Sequence, residues 1–99
     1  MSYGRNAESG PFFAGQNVDV DSGVASQLTD TSNRAYHRLV IKALPANTGV
    51  ICIGADNTVS STTGFPLSAS ESIAIPVTDP SLVWVIASAD NQGVAWYGQ

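Results

Sequence analysis

The side chains that could perform catalysis or bind a metal are few in this 99-residue chain. His37 is its single histidine and Cys52 is its single cysteine. An active site built from side chains needs a nucleophile beside a base, a pair of carboxylates or a cluster of metal ligands. We find no convincing grouping of this kind along the sequence. We therefore predict a protein that is not an enzyme and that carries no cofactor.

Asp19 and Asp21 come closest to a metal-binding pair, because alternate residues of a strand share one face. Such a pair could hold a hard cation such as calcium if loop oxygens completed the coordination. The surrounding sequence lacks the glycine turn and the downstream bidentate glutamate of a calcium-binding loop. We interpret the two carboxylates as a solvated strand face that guards against edge pairing, and we predict no metal site.

His37 and Cys52 both lie in segments whose pattern predicts strands. Cys52 has an isoleucine on each side, which is typical of a buried strand thiol rather than a reactive one. A single cysteine also excludes an internal disulfide. His37 stands beside Arg38, and we interpret this lone strand histidine as an ordinary surface or core residue.

Aromatic side chains are the second group of interest, because their rings stack on sugars and supply large contact areas between subunits. Trp84 shares a strand face with Leu82 and Ile86, so we assign it to the core. Trp96 and Tyr97 point to opposite faces of one strand, which leaves one of them for a partner. The predicted partner-binding residues, mostly types enriched at interfaces, are Tyr3, Arg5, Phe12, Phe13, Trp96 and Tyr97.

Charge is sparse and unevenly distributed. Charged residues make up 12% of the chain, about half of the roughly 25% usual in soluble proteins. Residues 43–99 contain Asp56, Glu71, Asp79 and Asp90 but no lysine or arginine. Phosphate recognition needs clustered cations, so this composition argues against nucleic-acid binding and against docking on acidic membranes.

The sequence carries no recognisable targeting or membrane segment. Residues 1–5 lack the apolar stretch of a signal peptide. No apolar run approaches the ~20 residues of a membrane span. We therefore expect the protein to be made in a cytoplasm and to stay soluble there.

The chain divides into two regions by pattern. Residues 1–16 are interrupted by Gly10, Pro11 and Gly15 and show no periodicity. We predict an extended N-terminal arm over residues 1–16. We predict a β-sandwich domain over residues 17–99.

From residue 36 onward, short apolar segments alternate with turn residues at the spacing of a sandwich or small barrel. The apolar run at residues 50–53 is typical of a strand buried on both faces. Pro76 marks an edge strand or a strand end, and residues 90–93 predict a hairpin. The predicted fold is all-β: a small antiparallel β-sandwich, jelly-roll-like, of about six to nine strands. Its predicted core is Leu39, Ile41, Ile51, Ile53, Ile73, Ile75, Leu82, Trp84 and Ile86.

Four blocks in order carry a resemblance to a known group of proteins. They are residues 48–54 (TGVICIG), 59–67 (VSSTTGFPL), 71–75 (ESIAI) and 82–85 (LVWV). Together they resemble a small β-sandwich module of tailed-bacteriophage virion proteins, some of which are similar to capsid decoration (cement) proteins. The resemblance covers about residues 36–97. Ser70 stands where the pattern usually has glycine before Glu71, which bears on the shape of that turn.

The resemblance implies a structural role in the virion and no catalytic residues. On this basis we expect a capsid decoration protein that binds the major capsid protein at capsomer junctions and stabilises the head. We expect it on the capsid surface as a homo-oligomer, with a trimer favoured. Two alternatives remain open: a tail, neck or fibre component, and a carbohydrate-binding module for adsorption to the host.

Overall fold

The computed structural model describes residues 12–35 and 37–99, and this part of the chain forms eight strands. A short 3-10 helix, Pro80–Leu82, precedes the seventh strand. The strands are β1 (Phe13–Val20), β2 (Ser26–Gln27), β3 (Leu39–Ala43), β4 (Ile51–Gly54), β5 (Phe65–Leu67), β6 (Ser72–Ile75), β7 (Trp84–Ala87) and β8 (Gln92–Gly98).

The strands described by the structure pair into two antiparallel four-stranded sheets that pack face to face. Sheet A has the order β1-β8-β3-β6, and sheet B has the order β2-β7-β4-β5. These orders are the double Greek key of a jelly roll, in which sequential strands cross repeatedly from one sheet to the other. The predicted all-β sandwich is confirmed. β6 is an edge strand that ends directly before Pro76, as the missing N–H of proline requires.

The main core lies between the sheets and is built by alternate residues of each strand. On β3, Leu39, Ile41 and Ala43 are buried while Lys42 is exposed, which is the period of two that a half-covered sheet requires. β4 differs, because three consecutive residues, Ile51–Ile53 in sequence, are buried. The buried main cluster consists of Val20, Leu28, Leu39, Ile41, Ala43, Ile51, Ile53, Leu67, Val83, Val85, Ala87 and Val94.

Most of the predicted core residues pack in or against the main core. On β7, however, the prediction assigned the wrong face of the strand to the main core. Val85 and Ala87 point into the main core, while Trp84 and Ile86 lie on the opposite face of the strand. Leu82 ends the 3-10 helix and is 61% exposed. Ile73 and Ile75 of the edge strand are half-buried and pack against the core. Both faces of β7 are apolar, so alternation alone could not identify the inner one.

The predicted hairpin at residues 90–93 is also wrong. β7 belongs to sheet B and β8 to sheet A, so this turn carries the chain from one sheet to the other. Asn91 supplies the tight bend with a φ of 59°, a left-handed conformation that asparagine tolerates better than most residues. The turn between β5 and β6 has the same requirement, and Ser70 meets it with a φ of 72°. Ser70 therefore adopts a left-handed conformation that glycine more commonly supplies.

The start of β8 is fixed by a hydrogen-bond network around the buried amide of Gln92. The side-chain carbonyl of Gln92 accepts hydrogen bonds from the N–H groups of Thr48 and Gly49 at 2.8 and 2.9 Å. Asn47 forms a reciprocal pair with Gly93, donating to its carbonyl at 2.8 Å and accepting from its N–H at 2.7 Å. These bonds hold the β3–β4 turn against β8 and thereby set the position of the aromatic residues further along this strand.

Candidate docking surface

β1 and β8 lie side by side and, with Phe12 directly before β1, display four aromatic side chains, two on each face of sheet A. Phe13 pairs with Gly98 and Gly15 pairs with Trp96 across the two antiparallel strands. Because side chains alternate along a strand, Phe13 and Trp96 turn toward sheet B. Phe12 and Tyr97 lie on the outer face of sheet A.

The rings of the inner pair, Phe13 and Trp96, each pack over a glycine of the neighbouring strand. A Cβ atom on Gly15 would lie 2.5 Å from the Trp96 ring, so the ring occupies the space that a side chain would take. The Phe13 ring covers Gly98 in the same way. An aromatic ring laid over a cross-strand glycine restores the packing that the glycine lacks. Phe13 and Trp96 are half-buried and pack against the main core.

The outer pair is open to solvent. Phe12 is 69% exposed and Tyr97 is 37% exposed. Their rings meet edge to face, with centroids 6.4 Å apart and planes at 83°. This geometry is favourable for an aromatic pair and orients the two rings even though little else covers them.

A shallow groove of about 680 Å³ runs beside this pair over the outer face of sheet A. Its floor includes Ala14, Val40 and Ala95, one small apolar residue from each of three adjacent strands. In the described part of the chain, the lining includes a single charged side chain, Lys42. The docking groove, as we name it, consists of Phe12, Ala14, Gly15, Gln16, Val40, Lys42, Ser72, Ala95, Trp96 and Tyr97.

The outer face of sheet B is closed by the chain itself. Val59, from the connection between β4 and β5, packs on Cys52 and Ile86 and forms a second buried cluster with them. The connection can lie this close because Gly54 and Gly64 carry no side chain, and a Cβ atom on either would meet Val59 at 2.5 and 2.8 Å. Burial raises the pKa of the Cys52 thiol, as expected for the structural role predicted from its neighbours.

The described carboxylates whose pKa values are lowered lie in turns, where they accept hydrogen bonds that stabilise the local structure. Asp79 accepts hydrogen bonds from the Ser32 hydroxyl at 2.6 Å and from the Ser81 N–H at 2.9 Å, which lowers the pKa of Asp79 to about 2. Hydrogen bonds from Thr58 lower the pKa of Asp56, and those from Ser22 lower the pKa of Asp90. Each carboxylate ties a loop in place and lies outside the docking groove.

Of the six predicted partner-binding residues, the structure places Phe12 and Tyr97 together on the outer face of sheet A. Trp96 reaches the groove lining, although it faces the core side, and Phe13 packs against the core. Tyr3 and Arg5 lie outside the described residues. The partner-binding role of all six stays a prediction.

The predicted arm of residues 1–16 does not match the strand boundary. Phe13 to Gln16 pair with β8 as the first half of β1, and residues 1–11 lie outside the described part. Sequence reasoning also left Val40 and Lys42 out of the site. Their alternation with Leu39 and Ile41 already placed them on the outer face, and this signal could have identified them.

Asp19 and Asp21, interpreted from the sequence as a solvated strand face, are both exposed. Asp21 lies just beyond the end of β1 and accepts a hydrogen bond from the Asn91 N–H at 2.9 Å. Within residues 12–35 and 37–99, no group of three or more histidine, cysteine or acidic residues is arranged to hold a metal ion. His37 is exposed and donates its N–H to the Gln99 carbonyl at 2.7 Å. The same residues contain no helix that is long and apolar enough to cross a membrane.

Comparison of the chain with protein families, with curated proteins and with solved structures finds no match.

Proposed function

We propose that this protein is a structural component of a tailed-bacteriophage virion. In this proposal it is a capsid decoration (cement) protein that binds the major capsid protein on the outer capsid surface, at capsomer junctions. It docks through the outer face of sheet A and stabilises the head by adding buried area across the junction. It acts as a binding module, without catalysis.

The observation that carries the proposal is the uncovered apolar face beside Phe12 and Tyr97. A chain this small buries a limited fraction of its surface, so leaving a large aromatic ring 69% exposed forgoes stability. Apolar patches of this kind on small proteins commonly mark interaction sites. Covering Phe12 would contribute roughly 1.5–3 kcal/mol to binding, the range for burying a large apolar side chain.

The shape and charge of the groove define the surface that would fit it. The floor of small side chains accepts a flat or gently convex apolar surface without steric conflict. Lys42 lies at the rim and would pair with a carboxylate or a backbone carbonyl of the partner. A partner that lacked apolar atoms at the centre of the contact would leave the two rings exposed.

Two lines of analogy support the virion assignment. The four sequence blocks of residues 48–85 resemble phage virion modules. Jelly rolls recur in viral capsid proteins and in lectins, a likeness of architecture that does not define function by itself. The number of copies in the bound oligomer, for which the sequence analysis favours three, stays a prediction.

The geometry of the aromatic pair favours a protein partner over a sugar. A platform that stacks one pyranose on both rings needs ring planes that are nearly parallel, and the planes of Phe12 and Tyr97 stand at 83°. Trp96 and Tyr97, the residues expected to form the sugar platform, point to opposite sides of sheet A. A glycan array with the full-length protein tests this alternative directly.

The proposal is tested with capsids that lack the protein, assembled from the major capsid protein of the same genome. Full-length protein is mixed with these capsids and pelleted at several concentrations. Phe12→Ala and Tyr97→Ala should each weaken binding about tenfold, as expected for central interface aromatics. The matched control is Phe65→Ala, because Phe65 is 55% exposed at the far edge of sheet B.

Two results would overturn the proposal or part of it. If the parent protein does not sediment with capsids but does bind purified tails, a tail component is correct. If Phe12→Ala binds as tightly as the parent while Phe65→Ala does not, the docking face is on sheet B. Tyr3→Ala and Arg5→Ala measure the contribution of the predicted arm in the same assay.

A further inference from the structure

The long free side of β1 is the feature that the proposed function leaves unused. β1 is an edge strand of eight residues, and within the described chain only β8 pairs with it. An edge strand presents a row of N–H and C=O groups that can template another strand. Residues 13–18 of this edge contain no charge and no proline.

The other three edges among the described strands are short or end at proline, whereas β1 is long and carries its protection, the Asp19 charge and a register irregularity between Asn17 and Val20, only near its end. β2 has two residues and β5 has three, one of which is Pro66. β6 has four residues and stops at Pro76. Short edges and edge prolines are the usual means by which proteins prevent strand addition. The contrast singles out β1 as the edge suited to pairing.

We infer that the β1 edge pairs antiparallel with β1 of a second copy of this chain, joining two A sheets into one eight-stranded sheet. Because residues 13–18 carry no charge, two copies of this edge can approach without repulsion, and the position of Asp19 favours the antiparallel direction. A parallel in-register pair would place the two Asp19 carboxylates about 5 Å apart. Antiparallel pairing centred near Gly15 and Gln16 separates them by about 20 Å, beyond the screening length of physiological salt.

The symmetry of this pairing has a consequence for docking. A two-fold axis through an antiparallel strand pair stands perpendicular to the sheet, so both copies keep the same face outward. The two docking grooves would therefore face one direction, and a surface that binds one could bind both. The pairing itself does not depend on the function proposed above, because it concerns association of the free protein.

Gln16 gives the sharpest test because it is exposed on the outer face and lies near the expected axis. In either register that centres the pair on Gly15 or Gln16, the two Gln16 side chains are opposite or diagonal neighbours. Like charges at such positions disfavour pairing, and opposite charges favour it. Strand pairing alone buries a small area, so the association is expected to be weak and concentration-dependent.

The experiment is sedimentation velocity of the full-length protein from low micromolar to near-millimolar concentration. The parent should shift to a dimer as concentration rises. Gln16→Lys and Gln16→Glu should each weaken dimerisation roughly fivefold or more, and an equimolar mixture of the two should recover it. Ala74→Lys is the matched control, because Ala74 is exposed on the outer face at the opposite edge of sheet A, and it should dimerise like the parent.

A parent that stays monomeric over the whole range, or that forms a trimer, overturns the inference. A dimer that both Gln16 variants retain also overturns it, because its interface would lie elsewhere. Circular dichroism establishes that the variants are folded, and Ala14→Lys at the same edge replaces Gln16→Lys if that variant is not. Sedimentation velocity of Tyr97→Ala separates failure of the pairing from failure of the proposed docking role, because Tyr97 lies on β8 and not at the β1 edge, so this variant should dimerise like the parent while it binds capsids more weakly.

Discussion

The outer faces of the two sheets differ in how they are covered. On sheet B, the β4–β5 connection folds over the strands and buries Val59 against Cys52 and Ile86. On sheet A, no described segment does the same, and the aromatic pair of Phe12 and Tyr97 remains exposed. The chain can therefore cover an apolar sheet face with a single loop. In the proposal above, the open face of sheet A is the one that a partner covers.

The two faces should differ most in how much stability the protein loses when a charge is placed on each. Val59→Asp would bury a carboxylate without a partner in the closed cluster and should lower the free energy of unfolding by about 3 kcal/mol or more. Val18→Asp places the same group on the outer face of β1, where Val18 is exposed. This variant should change the free energy of unfolding by at most about 0.5 kcal/mol. Urea denaturation of both variants measures the difference. Equal losses would show that the face of sheet A is covered after all.

Removal of one aromatic ring from each face should give a smaller contrast. Trp84 is half-buried against the closed cluster and lies opposite Gly54, so Trp84→Ala should lower stability by about 2 kcal/mol, less than a fully buried ring would. Tyr97→Ala on the open face should cost about 1 kcal/mol or less. Ile41→Ala, in the main core, should exceed both. A Trp84 variant less stable than the Ile41 variant would restore the assignment of Trp84 to the main core.

At low pH, the sheet B side of the molecule should lose stability first. The pKa of Asp79 falls to about 2 on folding because the Ser32 hydroxyl and the Ser81 N–H donate to its carboxylate. A pKa lowered by folding stabilises the protein above the unfolded value of about 3.9, and this contribution is lost as the pH falls through the folded value. The thermal midpoint should therefore drop between about pH 4 and pH 2.

The control for the pH effect is Asp79→Asn, which cannot change its charge. This variant should have a lower thermal midpoint than the parent at pH 5 and a smaller decrease between pH 5 and pH 2. Identical pH profiles for the two proteins would assign the acid sensitivity to other carboxylates, of which Asp56 and Asp90 also have pKa values lowered by hydrogen bonds.

Features set by neighbours in sequence could be predicted, and features set by neighbours in space could not. The alternation on β3, the buried run of β4 and the stop at Pro76 all follow from local pattern, and each is confirmed. The faces of β7 carry apolar residues on both sides, because sheet B has a core on each face. Sequence alternation then identifies the strand but not its orientation.

The start of β1 shows the same limit. Gly15 interrupts the sequence pattern, so the predicted arm extends to residue 16. In the structure, this glycine lies inside a strand because Trp96, a residue far along the chain, fills the space beside it. The outward position of Tyr97 could be predicted from alternation, whereas its contact with Phe12 could not, since it depends on which strands are adjacent.

The position of β8 between β1 and β3 has a consequence for the order of folding during synthesis. Of the described strands, β1 is made first, yet β8, its partner in sheet A, is made last. Until residues 92–98 have left the ribosome, the nascent chain holds an unpaired strand with exposed aromatic residues, and β3 lacks one of its two neighbours. Sheet A must then close by contacts between distant parts of the chain, which is slow compared with local pairing. The nascent protein is therefore most vulnerable to aggregation in the interval before β8 is synthesised.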